Sequence, residues 1–113
     1  MDSSDPRIVA ANAAQGFQVF QCEECAQNIK NALVAAGHRG EMVELRGSAG
    51  RDFIVCRSYD GGQATIYYSG RHLGVRLGNV VFDNLHSNGM DFEKWLKDFD
   101  AIGGVEVHSV IDF

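Results

Sequence analysis

The chain has 113 residues, of which 45% are hydrophobic and 22% charged, and its net charge is −5. This length fits one domain over residues 1–113, with a hydrophobic core that needs no disulfide support. The acidic balance argues against nucleic acid and anionic membranes as partners, and no apolar run is long enough to span a bilayer.

Two helices are predicted first. The sequence Ser4-Asp5-Pro6 is typical of a helix start, so the first helix is expected over residues 8–15. The second is expected over residues 22–36, with Gly37 as its left-handed C-cap. Its apolar residues Cys22, Ala26, Ile29 and Leu33 fall on one stripe, and Cys25 lies at the edge of that stripe.

After Gly40 the apolar pattern becomes strand-like. Strands separated by glycine-rich turns are predicted over residues 42–45, 53–56, 64–68, 72–77 and 80–83, and a closing strand over residues 105–111. A third helix is predicted over residues 91–100. Helices followed by antiparallel strands predict an α+β fold, in which N-terminal helices pack on an antiparallel β-sheet.

The pair Cys22 and Cys25 is the first candidate for chemistry. Cys22 lies in the first turn of its helix, beside free backbone N–H groups and the positive end of the helix dipole, which favour a thiolate. Cys25 is expected to be a structural thiol in the core. A zinc site completed by Cys56 and a histidine, or a redox motif, stays open as an alternative. The odd number of three cysteines predicts free thiols and a cytoplasmic location, unless the chain comes from a longer exported protein.

The second candidate is a hairpin that turns at Gly78-Asn79. With a two-residue turn, the apolar residues of both strands face the core, and His72, Gly74 and Asp83 share the opposite face. His72 and Asp83 then become diagonal neighbours, so that the carboxylate orients the imidazole, and Gly74 is expected to leave room for a substrate or for the thiolate.

Two further residues of this region are supporting candidates. Asn84 would be the orienting residue if the turn had three residues, because the register decides which side chains share a face. His86 is a weaker candidate for the base.

A cysteine that opens a helix, a histidine that starts a strand and an acid on the next strand resemble the order in papain-like peptidases. More narrowly, the chain resembles the second class of papain-fold toxin domains, the effector modules of bacterial polymorphic toxins. The matching stretches lie between residues 17 and 99, at residues 20–26, 70–75 and 81–84, with Gly89 and Trp95 behind them.

The resemblance implies Cys22 as nucleophile, His72 as general base and Asp83 as its orienting residue. Gln18 and Gln21 are candidate oxyanion donors, beside backbone N–H groups at the helix start. The implied activity is acyl transfer on a protein amide by a peptidase, a deamidase or a transglutaminase-like enzyme. The alternative is a non-catalytic binding module on the same fold.

The remaining expectations concern cofactors, partners and location. No cofactor and no metal ion are expected. The expected partners are a protein substrate and an immunity protein, and the chain is expected to be a monomer. Its location would be cytoplasmic, or extracellular if it is delivered as an effector. A chain this short has no second lobe for a long peptide cleft, which favours a side-chain amide as the substrate.

Overall fold

The computed structural model describes residues 5–47, 54–62, 65–67 and 71–113. The helices in these residues are α1 (Pro6–Ala13), α2 (Cys22–Ala35) and α3 (Phe92–Lys97). The strands are β1 (Glu41–Gly47), β2 (Ile54–Cys56), β3 (Thr65–Tyr67), β4 (Arg71–Leu77), β5 (Val80–Phe82), β6 (Met90–Asp91), β7 (Phe99–Asp100) and β8 (Val105–Asp112). Two helices precede a set of antiparallel strands, so the predicted α+β class is confirmed.

The strands form two antiparallel sheets. A five-stranded sheet has the order β6-β5-β4-β1-β8, and a three-stranded sheet has the order β3-β2-β7. Helices α1 and α2 pack on one face of the large sheet, against Leu73, Val75 and Phe82. The small sheet and α3 pack on the other face, in a second core that contains Trp95 and Phe99. The sequence predicted a single core, and the structure has one on each face because β2, β3 and β7 pair separately.

The ends of the first two helices follow local rules. Asp5 caps α1 by accepting a 2.9 Å hydrogen bond from the backbone N–H of Arg7, so the helix begins at Pro6, two residues earlier than predicted. Ser4 lies outside the described residues. Gly37 ends α2 with φ of 83°, which confirms the predicted left-handed cap.

The third helix is shorter than predicted. It ends at Lys97, and the predicted helical residues 98–100 continue into β7 instead. The backbone N–H of Arg57 donates to the carbonyl of Asp98 at 2.7 Å, and Phe99 pairs with Cys56 of β2. This long-range pairing overrides the helical pattern. Strand β6 was not predicted. The six predicted strands begin and end within two residues of their predicted bounds, although residues 53, 64 and 68 lie outside the described ranges.

The hairpin of β4 and β5 has the predicted register. Leu77 pairs with Val80, and Val75 pairs with Phe82, across a turn in which Gly78 has φ of 58°. A slip by one residue would exchange the two faces of the hairpin. This register therefore decides where His72 points.

Candidate active site

The centre of the site is the buried carboxylate of Asp83, which follows β5 and accepts five hydrogen bonds. Oδ2 accepts from His72 Nε2 at 2.7 Å and from Trp95 Nε1 at 2.8 Å. Oδ1 accepts from His86 Nδ1 at 2.8 Å and from the backbone N–H groups of Leu85 and His86 at 3.0 and 2.6 Å. Burial favours the neutral acid, but the hydrogen bonds from the two histidines outweigh it and hold the pKa of Asp83 well below its ordinary value.

His72 lies on β4 and is fully buried. Its ring packs against Phe99, with 4.7 Å between the ring centroids. Burial lowers the pKa of His72, but hydrogen bonds with Asp83 and then with Cys22 outweigh it and raise that pKa to about 9. Nε2 is held by Asp83, and Nδ1 makes no hydrogen bond of regular geometry within the described residues. Nδ1 is therefore the nitrogen left for the thiol of Cys22.

Cys22 is the first residue of α2, as predicted, and it is fully buried beside His72. An ion pair between the neighbouring residues, Arg71 Nη1 and Glu23 Oε2 at 3.2 Å, joins the start of α2 to the start of β4. The fold thus brings the three predicted residues Cys22, His72 and Asp83 together.

Cys25 lies one turn further along α2 and faces the helical core. Its Sγ is 3.8 Å from the carbonyl oxygen of Ala14. Burial, with smaller contributions from the charges of Asp83 and Cys22, raises the pKa of Cys25 to about 12. This thiol therefore stays protonated at neutral pH, which agrees with a structural role.

The supporting polar residues Asn84 and Gln21 make contacts with the segment before α2. The turn has two residues, so the condition under which Asn84 would orient His72 is not met. Asn84 Nδ2 instead donates to the carbonyls of Gln18 and Val19, at 2.8 and 3.1 Å, and ties the segment before α2 to the loop after β5. The side-chain oxygen of Gln21 accepts from the backbone N–H of Gln18 at 2.7 Å within that segment.

Gly74 does not leave room for a substrate. A Cβ atom at this position would lie 2.7 Å from Val81 Cγ1 and 2.8 Å from Trp95 Cζ2. The indole of Trp95 occupies the space that the sequence analysis assigned to a substrate or to the thiolate. Gly74 is needed because it lets this indole reach Asp83, a contact that the sequence analysis missed.

A second buried group extends from Asp83 through His86. His86 Nε2 lies 2.7 Å from Asp98 Oδ2, and Cys56 Sγ lies 3.2 Å from the same oxygen and 3.9 Å from His86 Nε2. Burial lowers the pKa of His86, but hydrogen bonds with Asp83 and Cys56 outweigh it and raise that pKa to about 11. Within the described residues Cys56 thus groups with His86 and Asp98, not with the Cys22 and Cys25 thiols.

Only a weak sequence signal indicated the group of Cys56, His86 and Asp98. His86 follows Asp83 by three residues, a spacing at which an aspartate accepts local backbone N–H groups in a turn. Cys56 and Asp98 come from other segments, and their approach depends on the pairing of β2 with β7.

The site is closed to solvent. Cys22, His72 and Asp83 are all fully buried. A groove of about 780 Å³ lies on the α2 side, and its lining includes Glu23 and Arg71, the sequence neighbours of Cys22 and His72. The Cys22 sulfur becomes accessible only after some of the covering groups move.

Comparison with known proteins decides the family. The family model described as papain fold toxin 2 matches residues 7–100. The chain belongs to this family. No curated protein and no solved structure matches the chain.

The papain fold toxin 2 assignment agrees with the site. Family membership and the buried side chains of Cys22, His72 and Asp83 together fit a papain-like cysteine enzyme. In the described part of this papain fold toxin 2 chain, no helix has the length and apolar character that crossing a membrane requires.

Proposed function

We propose that this chain is a cysteine-dependent acyl-transfer enzyme, with Cys22 as nucleophile, His72 as base and Asp83 as the residue that positions His72. The observation that carries the proposal is the orientation of His72. Its Nε2 is held by Asp83 Oδ2 at 2.7 Å, and its other nitrogen is left for Cys22. A base fixed by a carboxylate and facing a thiol is the arrangement that activates a cysteine nucleophile.

The reaction begins when the Cys22 proton passes to His72 Nδ1. The thiolate then attacks an amide carbonyl, and the C–S bond forms. The C–N bond breaks as the His72 imidazolium returns its proton to the leaving nitrogen, so that ammonia or an amine departs and a thioester remains. His72, again neutral, removes a proton from the acceptor that cleaves the thioester. Asp83 stabilises the imidazolium throughout, and the raised pKa of His72, about 9, is consistent with this role.

The oxyanion that forms during the attack needs hydrogen-bond donors. A backbone N–H group at the start of α2, such as that of Cys22, suits this role, because the first N–H groups of a helix have no carbonyl one turn earlier to donate to. The side-chain oxygen of Gln21 already accepts a hydrogen bond within its own segment. We therefore favour the backbone N–H groups as oxyanion donors, and the side-chain amides of Gln18 and Gln21 stay candidates.

We infer that the substrate is an amide of a target protein, with a glutamine or asparagine side chain favoured over a peptide bond. The small size of the chain supports this choice, because a long peptide needs an extended cleft. Water as acceptor would give deamidation, and an amine would give a crosslink. Membership in a toxin family supports an immunity protein as the inhibitory partner.

The test compares Cys22→Ala with Cys25→Ala. Both residues are fully buried on α2, so the two changes remove the same atoms from similar surroundings and form a matched pair. We expect Cys22→Ala to lower ammonia release from protein substrates by at least roughly 10³-fold and to abolish growth inhibition on expression. Cys25→Ala should keep both activities within a few-fold. Loss of activity in Cys25→Ala with retention in Cys22→Ala would refute the assigned nucleophile.

The second candidate function is a non-catalytic binding module, which the full burial of Cys22 favours. Mass spectrometry of the wild-type chain after exposure to substrate proteins separates the two. An acyl adduct on Cys22 supports the enzyme. Growth inhibition that persists in Cys22→Ala, without any adduct in the wild type, supports the binding module.

A further inference from the structure

Three metal-ligating side chains converge outside the proposed catalytic pair. Cys56, His86 and Asp98 are all buried, and in the part of the chain that the structure describes they form the one group of three or more His, Cys, Asp or Glu residues arranged to hold a metal ion. One ligand atom from each residue lies within 4.8 Å of the other two. These residues come from β2, from the loop after β5 and from the end of α3, so three separate segments point at one spot.

The spacing is close to that around a tetrahedral ion. With zinc–sulfur bonds of about 2.3 Å and zinc–nitrogen or zinc–oxygen bonds of about 2.0–2.2 Å, the ligand atoms are roughly 3.3–3.6 Å apart. Here the sulfur lies 3.9 Å from the His86 nitrogen and 3.2 Å from the Asp98 oxygen. The nitrogen–oxygen distance is 2.7 Å. The nitrogen–oxygen distance would have to increase by roughly 0.6 Å, and the two distances from sulfur would change by less, to make room for an ion.

The outer contacts of His86 also match those of a metal-bound histidine. Its Nε2 points at Cys56 and Asp98, and its Nδ1 is fixed 2.8 Å from Asp83 Oδ1. In metal sites the second ring nitrogen of a ligating histidine commonly donates to a carboxylate, which fixes the tautomer and the ring orientation. Asp83 thus holds the ring in the position that coordination through Nε2 requires.

We propose that Cys56 Sγ, His86 Nε2 and Asp98 Oδ2 form a binding site for a divalent ion of the zinc class. A thiolate, an imidazole and a carboxylate are ligands that zinc accepts together. The ion replaces the Cys56 thiol proton and the His86 Nε2 proton, and both are released to solvent. The side chain of Asp98 is 10% exposed, so water has access to the fourth position.

The ion would be linked to the catalytic histidine without binding it. Asp83 bridges the two histidines, with Oδ1 on His86 and Oδ2 on His72. Coordination of His86 fixes Asp83 from the side opposite His72. The ion therefore has a structural effect on the proposed catalytic pair, while its binding does not depend on the chemistry of Cys22.

Cobalt(II) spectroscopy on the metal-free protein tests the site directly. We expect one cobalt ion per chain, with a thiolate-to-cobalt charge-transfer band in the wild type, in Cys22→Ser and in Cys25→Ser. Cys56→Ser should lack the band. These controls also keep the test independent of the proposed catalysis. Absence of the band in the wild type, or its persistence in Cys56→Ser, would overturn the site.

Asp98→Asn provides a second variant in case Cys56→Ser does not fold. It keeps the shape of the side chain and both other ligands. The charge-transfer band should therefore remain, while zinc affinity in a chelator competition falls at least roughly 10-fold. Unchanged affinity would show that Asp98 is not a ligand and would overturn the proposed set.

Discussion

Replacement of Asp83 by asparagine tests how the site is held together. The wild-type carboxylate accepts five hydrogen bonds, two on Oδ2 and three on Oδ1. An asparagine has one acceptor oxygen and one donor amide group. Its oxygen is expected at the Oδ1 position, where it satisfies all three donors, so that the amide group faces His72 Nε2 and Trp95 Nε1.

The cost has two parts. His72 can accept from the new amide group only by moving its proton to Nδ1, and Trp95 Nε1 is then left facing another donor. One buried donor without a partner costs about 1–3 kcal/mol. The hydrogen bonds that lose their charged acceptor account for about 1–2 kcal/mol more. We therefore expect Asp83→Asn to lower the free energy of unfolding by about 2–5 kcal/mol. The variant should also lower the catalytic rate by roughly 10⁴-fold, because the His72 tautomer is the wrong one for a base facing Cys22.

Urea denaturation measures the stability, and nitrogen NMR of the His72 ring identifies the tautomer. Asp100→Asn is the control, because that side chain is 51% exposed and its ion pair with Arg57 at 3.5 Å lies at the surface. The control should lose less than about 0.5 kcal/mol. If Asp83→Asn lowers the free energy of unfolding no more than Asp100→Asn does, the account of the Asp83 network is wrong. It is also wrong if the His72 proton stays on Nε2.

Three further predictions concern the surroundings of this network. Gly74→Ala should cost about 1–3 kcal/mol in thermal unfolding and shift the emission of the chain's single tryptophan, because the added methyl overlaps the indole. The free energy of unfolding of the wild type should fall relative to His72→Gln as pH rises from 6.5 to about 9, by up to about 3 kcal/mol, because Asp83 and Cys22 stabilise protonated His72 only in the folded state. Asn84→Ala should speed alkylation of Cys22 by iodoacetamide roughly 5–50-fold, because two hydrogen bonds that hold the segment before α2 are lost.

Each of these predictions has a control or a contrary outcome. Gly78→Asn should be nearly neutral, because the position is open and an asparagine accepts its φ of 58°. Parallel stability curves for the wild type and His72→Gln between pH 6.5 and 9 would contradict the raised pKa of His72. Asn31→Ala removes a side-chain hydrogen bond on the exposed face of α2 and should leave the alkylation rate unchanged.

Local rules explain why much of the fold could be predicted from the sequence. The apolar stripe of α2 repeats within one helix, and Gly37 ends that helix through its own backbone conformation. The register of the hairpin follows from the Gly78-Asn79 turn. The end of α3 could not be predicted in this way, because it depends on Phe99 pairing with a strand about 40 residues earlier.

The residues of the site differ in the same way: local rules place some of them, and long-range packing places the others. The proximity of Cys22, His72 and Asp83 could be predicted because a helix start and a hairpin register place their side chains. Trp95 could not, because a glycine on a strand indicates open space without showing what fills it.

The number of hydrogen bonds also indicates which part of the closed site moves. His72 is held by Asp83, whose four other donors fix the carboxylate on both oxygens, so turning His72 would disturb a saturated buried network. Asn84 ties the segment before α2 to the β5 loop by donating to two backbone carbonyls. Opening that segment breaks the exposed and part-buried hydrogen bonds of Asn84 and spares the buried network of Asp83, so the proposed nucleophile and base keep their mutual geometry. Substrate access to Cys22 should therefore depend on Asn84, and catalytic geometry on Asp83.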